Sequence, residues 1–246
     1  MFSKLKTSPN KIHFKTMDKR IKAYSLPKPS SKCIPNWLKS LTKDAVDENG
    51  GHGGTVKRCM PFLDAVTSGY VLTAPADLVI TGFEVDGVKE WSTYWKGGSW
   101  EEQDIVQTHH PKQLTGEPLL KLGNIPLKMT SFFCIETPKG YSTLFTPVLN
   151  NHELSLAGIT FLSAVVETDN YYGEVNLPFL FSNFTGEEIT IKKGTPLVQL
   201  LPFKRESWEM EVSAEDESYF ESNHMALYSK LKESYRVQYH KKKTYR

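Results

Sequence analysis

The sequence predicts a mainly β protein: an all-β barrel or distorted jelly roll over roughly residues 56 to 205, carrying a basic N-terminal arm and a C-terminal amphipathic helix. Three observations predict it. Between Leu154 and Phe203, short apolar runs alternate with the turn pairs Asp169-Asn170, Thr185-Gly186 and Lys193-Gly194, the pattern of strands joined by tight turns. Between Ile125 and Phe145, the residues from Lys128 to Glu136 alternate as a strand does, and a second strand starts at Ser142 beyond the turn Thr137-Pro138-Lys139-Gly140. Asp86-Gly87, between Val85 and Val88, has hairpin chemistry because this dipeptide readily supplies positive φ angles.

The 246 residues suffice for one sizeable core or two small ones, and 39% hydrophobic with 24% charged residues excludes wholesale disorder. The longest apolar runs are a handful of residues, and the Lys-rich start lacks the apolar stretch of a signal peptide, so neither a membrane span nor export is expected. The expected location is a cytoplasm, or a virion if the chain is phage-encoded. Cys33, Cys59 and Cys134 have no paired spacing and are expected as reduced, buried structural thiols; a zinc site with His52 is the competing reading.

In chain order, residues 1 to 55 form a basic arm and linker, with Pro9, Pro27, Pro29 and Pro35 and little apolar periodicity. Pro35 to Leu41 predicts a short helix that pins Trp37 and Leu38 to a domain, and Asp47 to Gly54 (DENGGHGG) predicts a flexible loop. A phosphate-cradling reading of Gly50 to Thr55 lacks the order of a phosphate loop and clear flanking elements. Residues 83 to 125 read as an insertion in which Trp91, Tyr94, Trp95 and Trp100 surround Lys96-Gly97-Gly98, either packed on their own domain or stacking on bases or sugars. His109-His110-Pro111 has no metal-ligand arrangement, and no metal site is expected.

Residues 206 to 246 read as an acidic linker, a helix and a basic tail. Phe220, Leu227, Leu231 and Tyr235 recur at near-helical spacing, with Ser213 and Asp216 able to cap. The basic ends make Lys15, Lys19, Arg20, Lys241, Lys242 and Lys243 candidate contacts for nucleic acid or an acidic protein partner, against the alternative of solvated termini.

Tyr171-Tyr172-Gly173-Glu174, an apolar strand ending at Asn183, and Ile189 to Leu200 together resemble the second half of a dUTPase or dCTP deaminase domain. Ser68 to Ala74 resembles that family's opening motif, with Val71 where its Asp stands. The resemblance implies a β-clip jelly roll, a homo-oligomer whose usual family form is a trimer, catalytic candidates Asp169, Tyr171 and Glu174, and ligand-binding candidates Tyr171, Gly173 and Gln199. No cofactor is implied, except magnesium if nucleotide processing survives.

Several family positions are changed. Val148-Leu149-Asn150 follows Pro147 where the family has its phosphate-gripping Arg-Ser-Gly, and Thr168 stands at the water-activating Asp, flanked by Glu167 and Asp169. Gly is absent from Ser213 to Arg246, where the family's trimeric dUTPases have a Gly-rich arm. Separately, the run from Cys59 to Tyr70, Pro75 to Ile80 and Asp86-Gly87 with Trp91 resemble a family found in bacteria and tailed phages that carries no established activity.

Three functional classes follow: a non-catalytic assembly or binding protein on this scaffold, as a phage virion or accessory protein with other phage proteins as partners; a nucleotide-binding protein or nucleoside triphosphate pyrophosphatase with a rebuilt site; and a nucleic-acid binder acting through its termini.

Overall fold

A computed structural model of the chain describes residues 10–19, 26–96, 106–214, 216–218, 221 and 234–246. They fall into two compact units, one of Met1–Lys28 with Gly69–Arg205 and one of Pro29–Ser68 with Glu206–Arg246. In chain order the first strands are β1 (His13–Lys15), β2 (Lys28–Pro29), β3 (Asp44–Val46), β4 (His52–Gly54), β5 (Tyr70–Thr73), β6 (Asp77–Val85), β7 (Val88–Lys96) and β8 (Val106–Thr108). They continue as β9 (Ile125–Glu136), β10 (Tyr141–Pro147), β11 (Ile159–Phe161), β12 (Ala164–Val166), β13 (Glu174–Phe181), β14 (Glu188–Ile191) and β15 (Pro196–Lys204). The short helices are α1 (Asn36–Ser40), α2 (Met60–Thr67), α3 (Pro118–Lys121), α4 (Glu153–Leu156) and α5 (Ser234–Gln238).

The larger unit is built on two five-stranded sheets, one in the order β1-β9-β13-β11 with β8 also on β9, the other in the order β12-β10-β15-β5-β2. A three-stranded sheet, β14-β6-β7, completes it. The mainly β, distorted jelly-roll architecture is the one the sequence predicts. Among the described residues no closed barrel is formed: each sheet order ends in edge strands rather than returning on itself. The core lies between inward residues of these sheets, with Leu127 and Phe181 at 0% and Phe179 at 1% exposure beside Leu78, Phe145 and Leu200. Strand alternation places them there, since successive side chains leave opposite faces.

Local chemistry explains the turns. Val85 pairs with Val88 across a two-residue loop in which Asp86 has φ 51° and Gly87 φ 78°, the two positive angles a type I′ hairpin demands. Gly69, at φ +71°, is required twice over, because a Cβ there would lie 2.0 Å from the Leu200 carbonyl oxygen.

The predicted aromatic loop is a strand instead. Trp91, Tyr94 and Trp95 stand on β7, in register with β6. Trp95 is buried, Trp91 packs partly on the core, and the exposed Tyr94 hydroxyl donates to Glu188 at 3.0 Å. Trp100 and Gly97-Gly98 lie outside the described residues.

In the smaller unit, α1 forms as predicted and buries Leu38, while Trp37 stays 42% exposed and meets the Phe62 ring edge-on at 6.0 Å. The loop predicted at 47–54 is a hairpin, β3 paired with β4. Asp47 closes its turn by accepting from the amides of Asn49 (2.9 Å) and Gly51 (2.8 Å), so those amides are spent internally rather than offered to an anion.

The thiols are also corrected: Cys59 is exposed and Cys33 and Cys134 are half-buried, all three unbridged. Cys59 sits at the surface start of α2, and that position sets its exposure. Within the same unit His240 (3.1 Å) and Lys243 (2.7 Å) both engage Asp64 on α2. Burial pushes the Asp64 carboxyl up, but the bonds to Lys243 and His240 outweigh it and hold the group below its ordinary range. Of the predicted C-terminal helix, the structure describes α5, with Tyr235 exposed; Phe220, Leu227 and Leu231 lie outside the described residues.

Candidate functional site

The site suggested by sequence is the turn between β12 and β13, and its geometry follows from strand pairing. β12 pairs antiparallel with β10, Val166 opposite Thr143, so the chain leaving β12 passes over the start of β10. Thr168 is 1% exposed, and its hydroxyl meets those of Thr137 (2.7 Å) and Thr143 (2.9 Å), both buried. The backbone adds a bond from Thr137 N to Thr168 O at 3.1 Å. The position that bears a carboxylate in the family it resembles therefore joins a closed cluster of three hydroxyls.

One residue on, Asp169 takes a different set of partners. Its Oδ2 accepts from Gly140 N at 2.7 Å and from Arg205 Nη2 at 2.5 Å, and its Oδ1 accepts from Arg205 Nη1 at 2.9 Å. The Asp169 side chain is 5% exposed. Arg205 arrives because β15 pairs with β10 in a register that sets Lys204 opposite Tyr141, and its own amide donates to Gly140 O at 2.8 Å. It also donates to Tyr141 O and Ser142 Oγ.

The Arg205 guanidinium, followed by the Gly140 amide, lowers the Asp169 carboxyl to about 2. A carboxylate so weakly basic, with both oxygens occupied, is a fastener between β10, β15 and the turn rather than a base poised near neutrality.

This carries an acid-stability prediction. The folded pKa is depressed, so the stabilisation is complete above the ordinary value of 3.8 and is lost as pH falls toward about 2. Asp169→Asn is expected to lower the melting temperature at neutral pH and to flatten the acid-unfolding profile in that window. Superimposable profiles for variant and wild type, followed by circular dichroism, would show that the clamp contributes nothing.

The other candidates are dispersed. Tyr171, 46% exposed, donates through its hydroxyl to the Glu174 carbonyl at 3.3 Å, and the Glu174 carboxylate accepts from Thr130 Oγ1 at 3.1 Å. A Cβ on Gly173 would sit 2.8 Å from the Tyr171 hydroxyl, so a side chain there would displace the exposed Tyr171 ring from the Glu174 carbonyl. Gln199 is 0% exposed and its Oε1 accepts from Leu149 N at 3.0 Å, tying the 148–151 segment to β15.

Of the basic candidates, Lys15 pairs with Glu136 across β1 and β9, and Lys243 holds Asp64. Lys19, Lys241 and Lys242 are exposed, and Arg20 lies outside the described residues.

A recess borders the segment after β10, where the family resemblance would put a triphosphate. Pro147, Val148, Leu154, Ile159 and Phe161 line it, and Glu153 is the one charged residue in its lining. A wall of that kind repels a polyanion. Among the described residues no three His, Cys, Asp or Glu side chains gather as a metal site would need, and no helix is long and apolar enough to cross a membrane.

Sequence reasoning missed Arg205, Gly140, Thr137 and Thr143. The pairings of β10, with the turn that precedes it, assemble them from distant parts of the sequence.

No family model matches the chain, and no curated protein matches it. Among solved structures it is similar to phage dUTPases. One from Staphylococcus bacteriophage 80alpha matches at 11% identity and a TM-score of 0.37, over 85% of this chain and 100% of that one. Another, from phage phi11 of S. aureus, matches at 11% identity and a TM-score of 0.38, over 85% and 99%. At that level the likeness carries no weight for chemistry, and the account of the fold stands on the strand pairing itself.

Proposed function

We propose that the chain is a non-catalytic assembly or binding protein on a dUTPase-like β scaffold. One observation carries the reading: at the turn where the resembling family activates water, Thr168 is sealed among Thr137 and Thr143. The neighbouring Asp169 is committed to Arg205 and Gly140, so the turn is organised for holding strands together. The run from Cys59 to Tyr70, with its likeness to a bacterial and tailed-phage family, favours a phage accessory or virion role, and the scaffold favours a self-associating one.

The test is a hydrolysis and binding panel of dUTP, dCTP and the common nucleotides with magnesium, on the purified chain and on Asp169→Asn. No turnover and no saturable binding is the expected result. Turnover by the wild type that Asp169→Asn abolishes would overturn the reading in favour of a nucleoside triphosphate pyrophosphatase with a rebuilt site.

A further inference from the structure

The segment that follows α5 is basic, and it is held down on its own unit. The amides of Tyr239 (3.0 Å) and His240 (2.9 Å) both donate to Tyr235 O, which closes α5. His240 then engages one Asp64 oxygen at 3.1 Å, and Lys243 donates to the other at 2.7 Å. Lys241 and Lys242 lie between these two anchors, and both are exposed. Presenting two cations from a loose chain costs backbone entropy when a ligand arrives; the anchors have already removed that freedom here.

Aromatic surface lies beside these cations. The Tyr235 and Tyr239 rings stand 6.1 Å apart with a tilt of 33°, and each residue is 44% exposed. Lys243 is raised above its ordinary value by its bond to Asp64, with the Tyr235 hydroxyl also in electrostatic reach, so the ring pair adjoins the anchored segment. Spaced four residues apart, the two rings support the helical turn through their mutual contact, and the ring surface left in water is available for stacking.

We propose that Tyr235, Tyr239, Lys241 and Lys242 form a binding surface for single-stranded nucleic acid. Unpaired bases stack on the two rings and the lysines neutralise the adjoining phosphates. A duplex keeps its base faces covered by neighbouring bases, which is why the strand must be unpaired. An acidic protein would satisfy the lysines and leave the ring pair without a role. The proposal goes beyond the assembly reading and does not rest on it, since the turn at Thr168 takes no part.

The test is fluorescence anisotropy of a labelled oligothymidylate of about 12 nucleotides, titrated with the full chain. Wild type is expected to bind saturably, with a dissociation constant below about 100 μM at about 50 mM salt and log K falling linearly with log salt. Lys241→Ala/Lys242→Ala should weaken binding and make that slope shallower by about 1.4, at about 0.7 per phosphate neutralised. Tyr235→Ala/Tyr239→Ala should weaken binding by about tenfold or more with the slope unchanged, and Tyr235→Phe/Tyr239→Phe, which keeps the rings, should bind as wild type does. No saturable binding, an unchanged slope in the lysine variant, or a ring-deleted variant that binds as tightly as wild type would each overturn the proposal. A loss that phenylalanine does not recover would overturn it too, as would polyglutamate displacing the label as well as unlabelled strand does.

Discussion

Thr168→Asp is expected to destabilise the fold by roughly 3–5 kcal/mol at neutral pH, the order of cost of an uncompensated buried charge, and to confer no nucleotide hydrolysis. The substitution reinstates the residue type that the resembling family uses to activate water. In this chain the position is 1% exposed and faces the hydroxyls of Thr137 and Thr143, which can satisfy part of a carboxylate's demand but supply no countercharge.

Burial raises the introduced carboxyl above its unfolded value. The penalty is therefore absent below about pH 4 and grows as pH rises toward the raised value. Urea titrations at several pH values should show variant and wild type converging in acid. A variant as stable as wild type at neutral pH, or one that turns over dUTP, would mean that Thr168 faces solvent and that the site is one substitution from activity.

Phe179→Ala is expected to cost about 3–5 kcal/mol, the range for emptying a buried aromatic site. Phe179 is 1% exposed on β13, opposite Leu127 of β9, with the Phe161 ring of β11 at 5.4 Å. On β13, between β9 and the edge strand β11, it packs against both neighbours, so a cavity there cannot be closed by moving one of them. For a chain of this length the melting temperature should fall by roughly 6–20 °C. Phe179→Leu, which keeps most of the volume, should recover more than half of the loss. A loss below about 1 kcal/mol for the alanine variant would contradict the placement of the core.

What was legible in the sequence was local. The Asp86-Gly87 hairpin, the Thr137–Gly140 turn, the strands β9 and β10 and the succession of strands to Phe203 are each written within a few residues, as turn chemistry beside alternating side chains. The site was legible as a turn and illegible as a set of partners. Asp169 gave no local sign that Arg205, 36 residues on, would take its carboxylate, because the register of β10 with β15 decides that meeting.

DENGGHGG misled for a related reason. Its glycines argue against a strand by propensity, yet Asp47 ties the turn and the pairing of β3 with β4 overrides the preference. The aromatics around Trp91 were expected in a loop, and pairing with β6 makes them part of a strand.

The interleaving of the two units has a consequence for how the chain is made. The smaller unit draws on Pro29–Ser68 and on Glu206–Arg246, and Asp64 acquires His240 and Lys243 as partners. On a ribosome, synthesis proceeds from the N-terminus at about 5–20 residues per second, so α2 waits on the order of ten seconds or more for the residues that neutralise Asp64. During that interval β1 meets β9, and the sheets of the larger unit are completed as far as Arg205. The unit whose first half is translated early is thus the last to close, and nascent chains stalled before His240 should present Asp64 and the α2 surface to a protease that spares the sheets.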